Sequence, residues 1–309
     1  MRCQITIVVF LLLAGCESIK IATMQKIQPA GGENDVVSVG LFNKSNQTKI
    51  DLNDLSLTST EQSIVESICF PPPPPEVRTS PDGTKLFVQV APILMPAIGK
   101  LAFDYSARAL GEYVGSVKER ASKSYSASFF ASGFQLAGAK CIAIQRLDEM
   151  GKQKALFISS IEEVDTSTFQ LKPVLAWAEN SIALTKCEDV CYLMDKKKGL
   201  ISMSMAVAVS GVVPGTNNVS ELKQFGAAAV TIPKVPLGGP SKVVSVASAK
   251  ASDIVPYPTV TGVAKVTVSV TETGNIPGNF TKASEEIKAI KEAMGPVVSA
   301  GIAKRYEDD

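Results

Sequence analysis

Several groupings of residues in this chain have the types and spacing to do chemistry, and each implies a different reaction. Ser220-Glu-Leu-Lys223 has the SxxK spacing in which a lysine takes the proton of a serine nucleophile. The Ser-x-Asn and Lys-Thr-Gly motifs that accompany it in serine acyl-transferases are missing. Glu162, Glu163 and Asp165 crowd one short stretch, and paired carboxylates can hydrolyse glycosides or hold calcium. Their spacing is not that of an Asp-x-Asp-x-Asp-Gly calcium loop, and a solvated strand-to-loop transition is the plainer expectation. Met203 and Met205 would present two thioethers from one side of a strand, a Cu(I)-binding pattern, but valines continue the same row and make them core residues. Trp177 and Tyr192 are the candidates for a small-ligand or glycan contact, weighed against aromatics that merely fill a core. Lys196, Lys197 and Lys198 suit lipid phosphates or, more simply, a hairpin tip.

The most restrictive feature is an absence. There is no histidine in 309 residues. Ser-His-Asp and Cys-His catalysis, His-ligated metals and imidazole acid–base chemistry are therefore excluded. Cys69, Cys141, Cys187 and Cys191 are an even set, which in an exported protein implies two disulfides. The preferred pairing is Cys187 with Cys191 and Cys69 with Cys141. A four-thiolate zinc site is the alternative, although CxxxC with two distant cysteines matches paired CxxC knuckles poorly. No metal or other cofactor is expected.

The N-terminus sets the compartment. Arg2 followed by the apolar run Ile5 to Leu13 reads as a signal peptide, since that run is too short to cross a hydrocarbon core of about 30 Å. Leu13-Ala14-Gly15-Cys16 then resembles the lipobox of bacterial lipoproteins, over this segment alone. The resemblance implies cleavage before Cys16, a diacylglyceryl group on its thiol and a further acyl chain on the freed amine. Several chains anchor a protein far better than one. Glu17, where Asp would favour inner-membrane retention in Gram-negative sorting, implies the outer membrane in such a cell. Removing residues 1–15 takes Arg2 from the 31 basic residues and leaves 30 against 30 acidic ones. A neutral chain without a basic stripe has no footprint for nucleic acid.

The elements expected to position these residues fall into four blocks: signal peptide 1–15, lipid-anchored arm and linker 16–80, a β-rich main domain 81–280 and a helical segment 281–309. Within the arm, Val36 to Phe42 reads as a strand. Thr58, Ser59 and Thr60 before Glu61 and Gln62 read as a capped helix, which Pro71 to Pro75 end as a stiff spacer. Leu86, Val88 and Val90 alternate as a half-buried strand, and Ile98, Leu101, Tyr105 and Ala109 give an apolar stripe for one long helix at about 96–121. From about 126 the period drops to two, most clearly in Ile201-Met203-Met205-Val207-Val209 and Val266-Val268-Val270. Weaker strands are expected at 126–136, 140–147, 154–162, 168–177, 180–186 and 225–235. A C-terminal helix is expected at about 282–305. The fold class is α+β, predominantly an antiparallel β sandwich or barrel-like domain with these two helices packed on it.

With no complete catalytic set, the sequence points to a non-enzymatic envelope lipoprotein. It would be a structural or interaction subunit, held by its lipid, whose partner is another envelope protein of a secretion, pilus or surface assembly. A small-ligand or glycan-binding lipoprotein is the second expectation and a carboxylate-dependent hydrolase the third.

Overall fold

The computed structural model describes residues 16–27, 32, 34–42, 55–70, 114–187, 199–214, 220–245, 248–257 and 263–288. Twelve strands are assigned within them: β1 (Lys26–Ile27), β2 (Val36–Phe42), β3 (Ser122–Ser132), β4 (Cys141–Leu147), β5 (Gln153–Asp165), β6 (Thr168–Ala178), β7 (Thr185–Lys186), β8 (Leu200–Pro214), β9 (Ser220–Pro236), β10 (Lys242–Val243), β11 (Val255–Pro256) and β12 (Val263–Gly274). The helices are α1 (Cys16–Thr23), α2 (Ser59–Cys69), α3 (114–120), α4 (Gly133–Gly138) and α5 (280–288).

Two sheets form a sandwich. The larger runs β10-β6-β5-β4-β2, with β11 also on β6, and the smaller runs β3-β12-β8-β9. All these pairings are antiparallel. β6 packs against β9 on one flank and β2 against β3 on the other, so the sheets nearly close. Ile142 and Ile144 of β4, Phe157 of β5 and Leu171 of β6 fill the space between them. They meet Met203 and Met205 of β8 and Val266, Val268 and Val270 of β12, all buried. Strict alternation in β8 and β12 arises because one side faces this core and the other does not. In β5 the burial is continuous from Ala155 to Ile161, since both of its faces are covered.

The cover on the second face is α2. Thr58 and Glu61 form a capping box: the Thr58 backbone N–H donates to Glu61 Oε2 at 2.7 Å, and Glu61 N–H to Thr58 Oγ1 at 3.4 Å. Val65 and Cys69 then pack with Phe42, Ala143, Leu156, Ile158 and Val174. The Cys69–Cys141 disulfide joins the last residue of α2 to the first of β4. Residues expected as an arm thus supply an edge strand, β2, and the lid of the larger sheet. Pro173 is tolerated inside β6 because a bulge lies there; the Ser159 hydroxyl donates to the Lys172 carbonyl at 2.7 Å beside it.

A third cluster sits at one end of the sandwich. Ile21 of α1, Val114 and Val117 of α3, and Ala283 and Ile287 of α5 pack around Leu184. α3 leads directly into β3, and β12 leads out toward α5. Of the expected long helix, 96–113 lies outside the described residues. The described remainder is seven residues long, so a single long helix is not supported: at Ala121 the period-two pattern of β3 takes over. The serine-rich start of β3 favours this switch, as serine gains little from a helix interior. The expected strand at 126–136 likewise stops at Ser132, whose side chain caps α4 by accepting the Gln135 backbone N–H at 3.2 Å. α5 begins where the C-terminal helix was expected, and residues beyond 288 lie outside the described set, as do Pro71 to Pro75 and the expected strand at 84–90.

Candidate functional site

Two features of this architecture break the ordinary rules for a sandwich, one inside it and one on its surface. The inner feature is a buried ionic cluster bridging the sheets. Arg146 stands on β4 in the row of Ile142 and Ile144, and Glu272 on β12 in the row of Val266, Val268 and Val270. Their side chains are 1% and 0% exposed. Arg146 Nη1 bonds Asp35 Oδ2, and Nη2 reaches the Asn180 backbone oxygen at 2.9 Å, its Oδ1 at 3.0 Å and Glu272 Oε1 at 3.4 Å. The other oxygen of Glu272 accepts from Ser181 Oγ at 2.6 Å and from Ile182 N–H at 2.9 Å. The loop 179–184 is therefore wrapped onto the end of β12. Gly274 is required there, since a Cβ would overlap the Leu184 carbonyl.

The surroundings of Arg146 favour its charged form. Burial alone would lower the Arg146 pKa, but the Glu272 charge and the Asp35 hydrogen bond outweigh it and raise the value. The Tyr125 ring lies 5.7 Å from the guanidinium carbon, and its hydroxyl has no hydrogen-bond partner. Burial first, and the negative Glu272 second, push that phenol well above its usual value. A guanidinium does not act as a base, and both Glu272 oxygens face donors. The arrangement braces one sheet against the other and offers no proton-transfer step.

The surface feature is the outer side of the smaller sheet. Register places its outward residues in rows across the strands β3, β12, β8 and β9: Ser124-Thr271-Ser204-Thr231, then Ser126-Ser269-Ala206-Ala229, then Ser128-Thr267-Ala208-Ala227. A fourth row is Phe130-Lys265-Ser210-Gln224. Lys265 is the single charged side chain in these described rows, in a chain that is 20% charged. Three pairs of hydroxyls at one end bond each other: Ser124 with Thr271 at 2.8 Å, Ser204 with Thr231 at 2.8 Å, and Ser122 with Thr273 at 3.4 Å. At the far end Phe130 and Val263 are 73% and 64% exposed. A sheet face with rows so nearly uncharged is unusual where solvated surfaces carry interspersed charges.

Among the described residues, those singled out by type and spacing are not brought together at one site. Glu162 pairs with Lys172 at 2.8 Å, while Asp165 Oδ1 accepts Ser167 N–H at 2.7 Å and closes the β5–β6 turn. That bonding, with the Ser167 hydroxyl foremost, holds Asp165 below its usual pKa. Met203 and Met205 are fully buried core residues. Ser220 and Lys223 lie on extended β9, where three residues span about 10 Å. Trp177 is half-buried and its indole N–H donates to the Gly239 carbonyl at 3.1 Å. Cys187 is disulfide-bonded; Cys191, Tyr192 and Lys196 to Lys198 lie outside the described residues. Cys16 opens α1. Among the described residues no group of three or more His, Cys, Asp or Glu is placed to hold a metal, and no helix is long and apolar enough to cross a membrane.

Comparisons with protein-family models, curated proteins and solved structures find no match to this chain. The two features therefore rest on this chain's own residues. Both left a trace in the sequence. Arg146 and Glu272 each occupy a core-facing position in a strongly apolar row, which marks a charge that must find a buried partner. The rows of serine, threonine and alanine are the unused half of the same alternation that identifies β8 and β12.

Proposed function

We propose that this chain is a lipid-anchored envelope protein whose sandwich serves as an interaction subunit, docking through the outer face of its smaller sheet. That face is the observation that carries the reading. Its rows hold one charge, the hydroxyls of its first row pair with one another, and its exposed apolar residues gather at one end. Burying rows of hydroxyls and methyls takes a single full charge out of water, so their desolvation costs less than that of a charged surface. The Leu13-Ala14-Gly15-Cys16 motif supplies the location, and Glu17 favours an outer membrane.

The packing of α1 agrees with this role. Ser18 is fully buried, and its hydroxyl bonds the Ala283 carbonyl at 3.2 Å and Glu286 Oε2 at 2.9 Å. Glu17 Oε2 accepts the Asn279 backbone N–H at 2.9 Å. A lipid on Cys16 would thus be held two residues from a contact fixed to the domain, which keeps the sandwich close to the bilayer and restricts its orientation. The test is the intact mass of the protein extracted from membranes, followed by crosslinking in the intact envelope. The expected result is an N-terminal Cys16 carrying acyl chains, with crosslinks from β3, β8, β9 or β12 to a protein surface. An unacylated chain beginning elsewhere would remove the anchored reading, and an acylated chain without crosslinks on that face would remove the docking role.

A further inference from the structure

We infer that the occupant of this face is a second copy of the same chain, related by a two-fold axis running along the strands between β12 and β8. The inference rests on the anchored reading above and deepens it.

Area comes first. Four strands at about 4.8 Å spacing and nine residues at about 3.4 Å rise give a face of roughly 600 Å². Two copies would bury on the order of 1,200 Å², the lower bound for a stable and specific interface. Charge opposes the pairing at one place in these rows. Lys265, in the last of the four, would lie over Ser210 of the other copy and diagonal to that copy's Lys265, so the like-charge contact falls at the end of the interface. The small side chains of the serine, threonine and alanine rows let two sheets stack closely, as the two inner faces of a sandwich do.

Connectivity then selects the axis. α3 enters β3 at Ser122, β12 leaves toward α5 at Gly274, and α1 is bonded to α5 through Ser18. Cys16 therefore lies at the Ser122–Thr273 end of the sheet. An axis across the strands would send the two lipid anchors to opposite ends of the dimer, out of reach of one membrane. An axis along the strands keeps both at the same end. It also lays β3 over β9 of the second copy and β12 over β8, since the strand order reverses across the interface. Phe130 then comes to the Gln224 and Ala227 end of the opposing β9, and Ser269 faces Ala206. Confinement in one membrane raises the effective concentration of such partners.

Sedimentation velocity on the acylated protein in mild detergent tests this, with Ala206→Lys as the variant. Ala206 is outward-facing, so the fold should tolerate the lysine, and its melting temperature should stay within a few degrees of the parent. The expected result is a dimer at low micromolar concentration whose association weakens at least 100-fold in the variant. A short bifunctional thiol reagent should join Ser269→Cys to Ala206→Cys in a mixture, in preference to either variant with itself. An acylated protein that stays monomeric at 100 µM, or a dimer indifferent to Ala206→Lys, overturns the second copy while leaving the anchored reading intact. Preferential Ser269→Cys self-crosslinking overturns the axis. An unacylated chain fails the anchored reading itself and removes the reason for choosing that axis.

Discussion

The two sheets of this sandwich share one core but differ on their outer sides, and the difference is already in their strands. The outer side of the larger sheet carries Ala143, Leu156, Ile158 and Val174 under α2 and its disulfide. The outer side of the smaller sheet carries serine, threonine and alanine with no element of the described chain packed over it. β5 is continuously buried from Ala155 to Ile161 because both its faces are covered, whereas β8 and β12 alternate because only one is. The outer side of the smaller sheet is therefore not an ordinary solvated surface. A solvated side would be expected to hold lysine and glutamate throughout, and the four described rows hold neither except at Lys265, with Lys234 exposed beyond them on β9.

The largest expected effect lies where the two sheets are joined. Glu272→Ala leaves Arg146 buried with one acidic partner fewer and frees the loop 179–184, so it should cost about 3–5 kcal/mol in urea unfolding. Replacing Glu272 and Arg146 together with apolar residues of similar volume should recover much of that loss. A single-variant cost below about 1 kcal/mol would show that the brace is not what holds the sheets in register.

Removing the lid's staple comes next. Cys69 and Cys141 are 72 residues apart in sequence, and closing a loop of that size restricts the unfolded chain by an amount on the order of 4 kcal/mol. Cys69→Ala with Cys141→Ala should lower stability by about 2–4 kcal/mol and expose the Leu156 and Ile158 side to hydrogen exchange. Exchange confined to the smaller sheet would contradict the view that α2 is the cover. A single cavity on the covered face, Ile158→Ala, should cost roughly 2–4 kcal/mol, while Ala208→Ser on the open face should stay within about 0.5 kcal/mol. Equal effects on the two faces would erase the comparison.

How much of this was legible follows the same division. The one-face strands β8 and β12 announced themselves because their valine and methionine rows repeat every two residues. The capped start of α2 was legible too, since a capping box is local, with Thr58 the residue used. β3 was placed only approximately, because Ser132 and Gln135 carry a second capping box that ends the strand at a point where apolar residues continue. The brace was missed. Arg146, Asp35 and Glu272 are far apart along the chain, and only the pairing of β2 with β4 and the stacking of β12 across the core bring them together. Ser220 and Lys223 have the spacing of a serine–lysine pair but stand on a strand, where an extended backbone separates what a helix would juxtapose.

Tyrosines on the core side give a smaller, pH-dependent effect. Burial, reinforced by Glu163 and Asp165, pushes Tyr257 up to about 12, and Tyr125 is raised as well. Both folded-state values exceed the unfolded value of about 10. The stability they contribute is therefore whole below pH 10 and is lost as pH rises through 10 toward the folded values. Tyr125→Phe removes a buried hydroxyl that has no partner, so it should be neutral or gain up to about 1 kcal/mol at pH 7. Thermal melts from pH 8 to 11 should show a shallower alkaline decline for the variant. A steeper one would mean that the hydroxyl has a partner in solution.

The smallest effect belongs to the open face itself. The Ser124–Thr271 hydroxyl pair sits on exposed β3 beside β12, and cross-strand pairs of this kind contribute about 0.2–1 kcal/mol. A double-mutant cycle of Ser124→Ala and Thr271→Val, measured at a protein concentration where the chain is monomeric, should return a coupling of no more than about 0.5 kcal/mol. The same cycle above the dimer's dissociation constant should return more, because burial against a second copy strengthens a hydroxyl pair that water no longer competes for. Coupling that does not change with concentration would mean that the ladder serves the sheet alone, and the near absence of charge on this face would then need a cause other than docking.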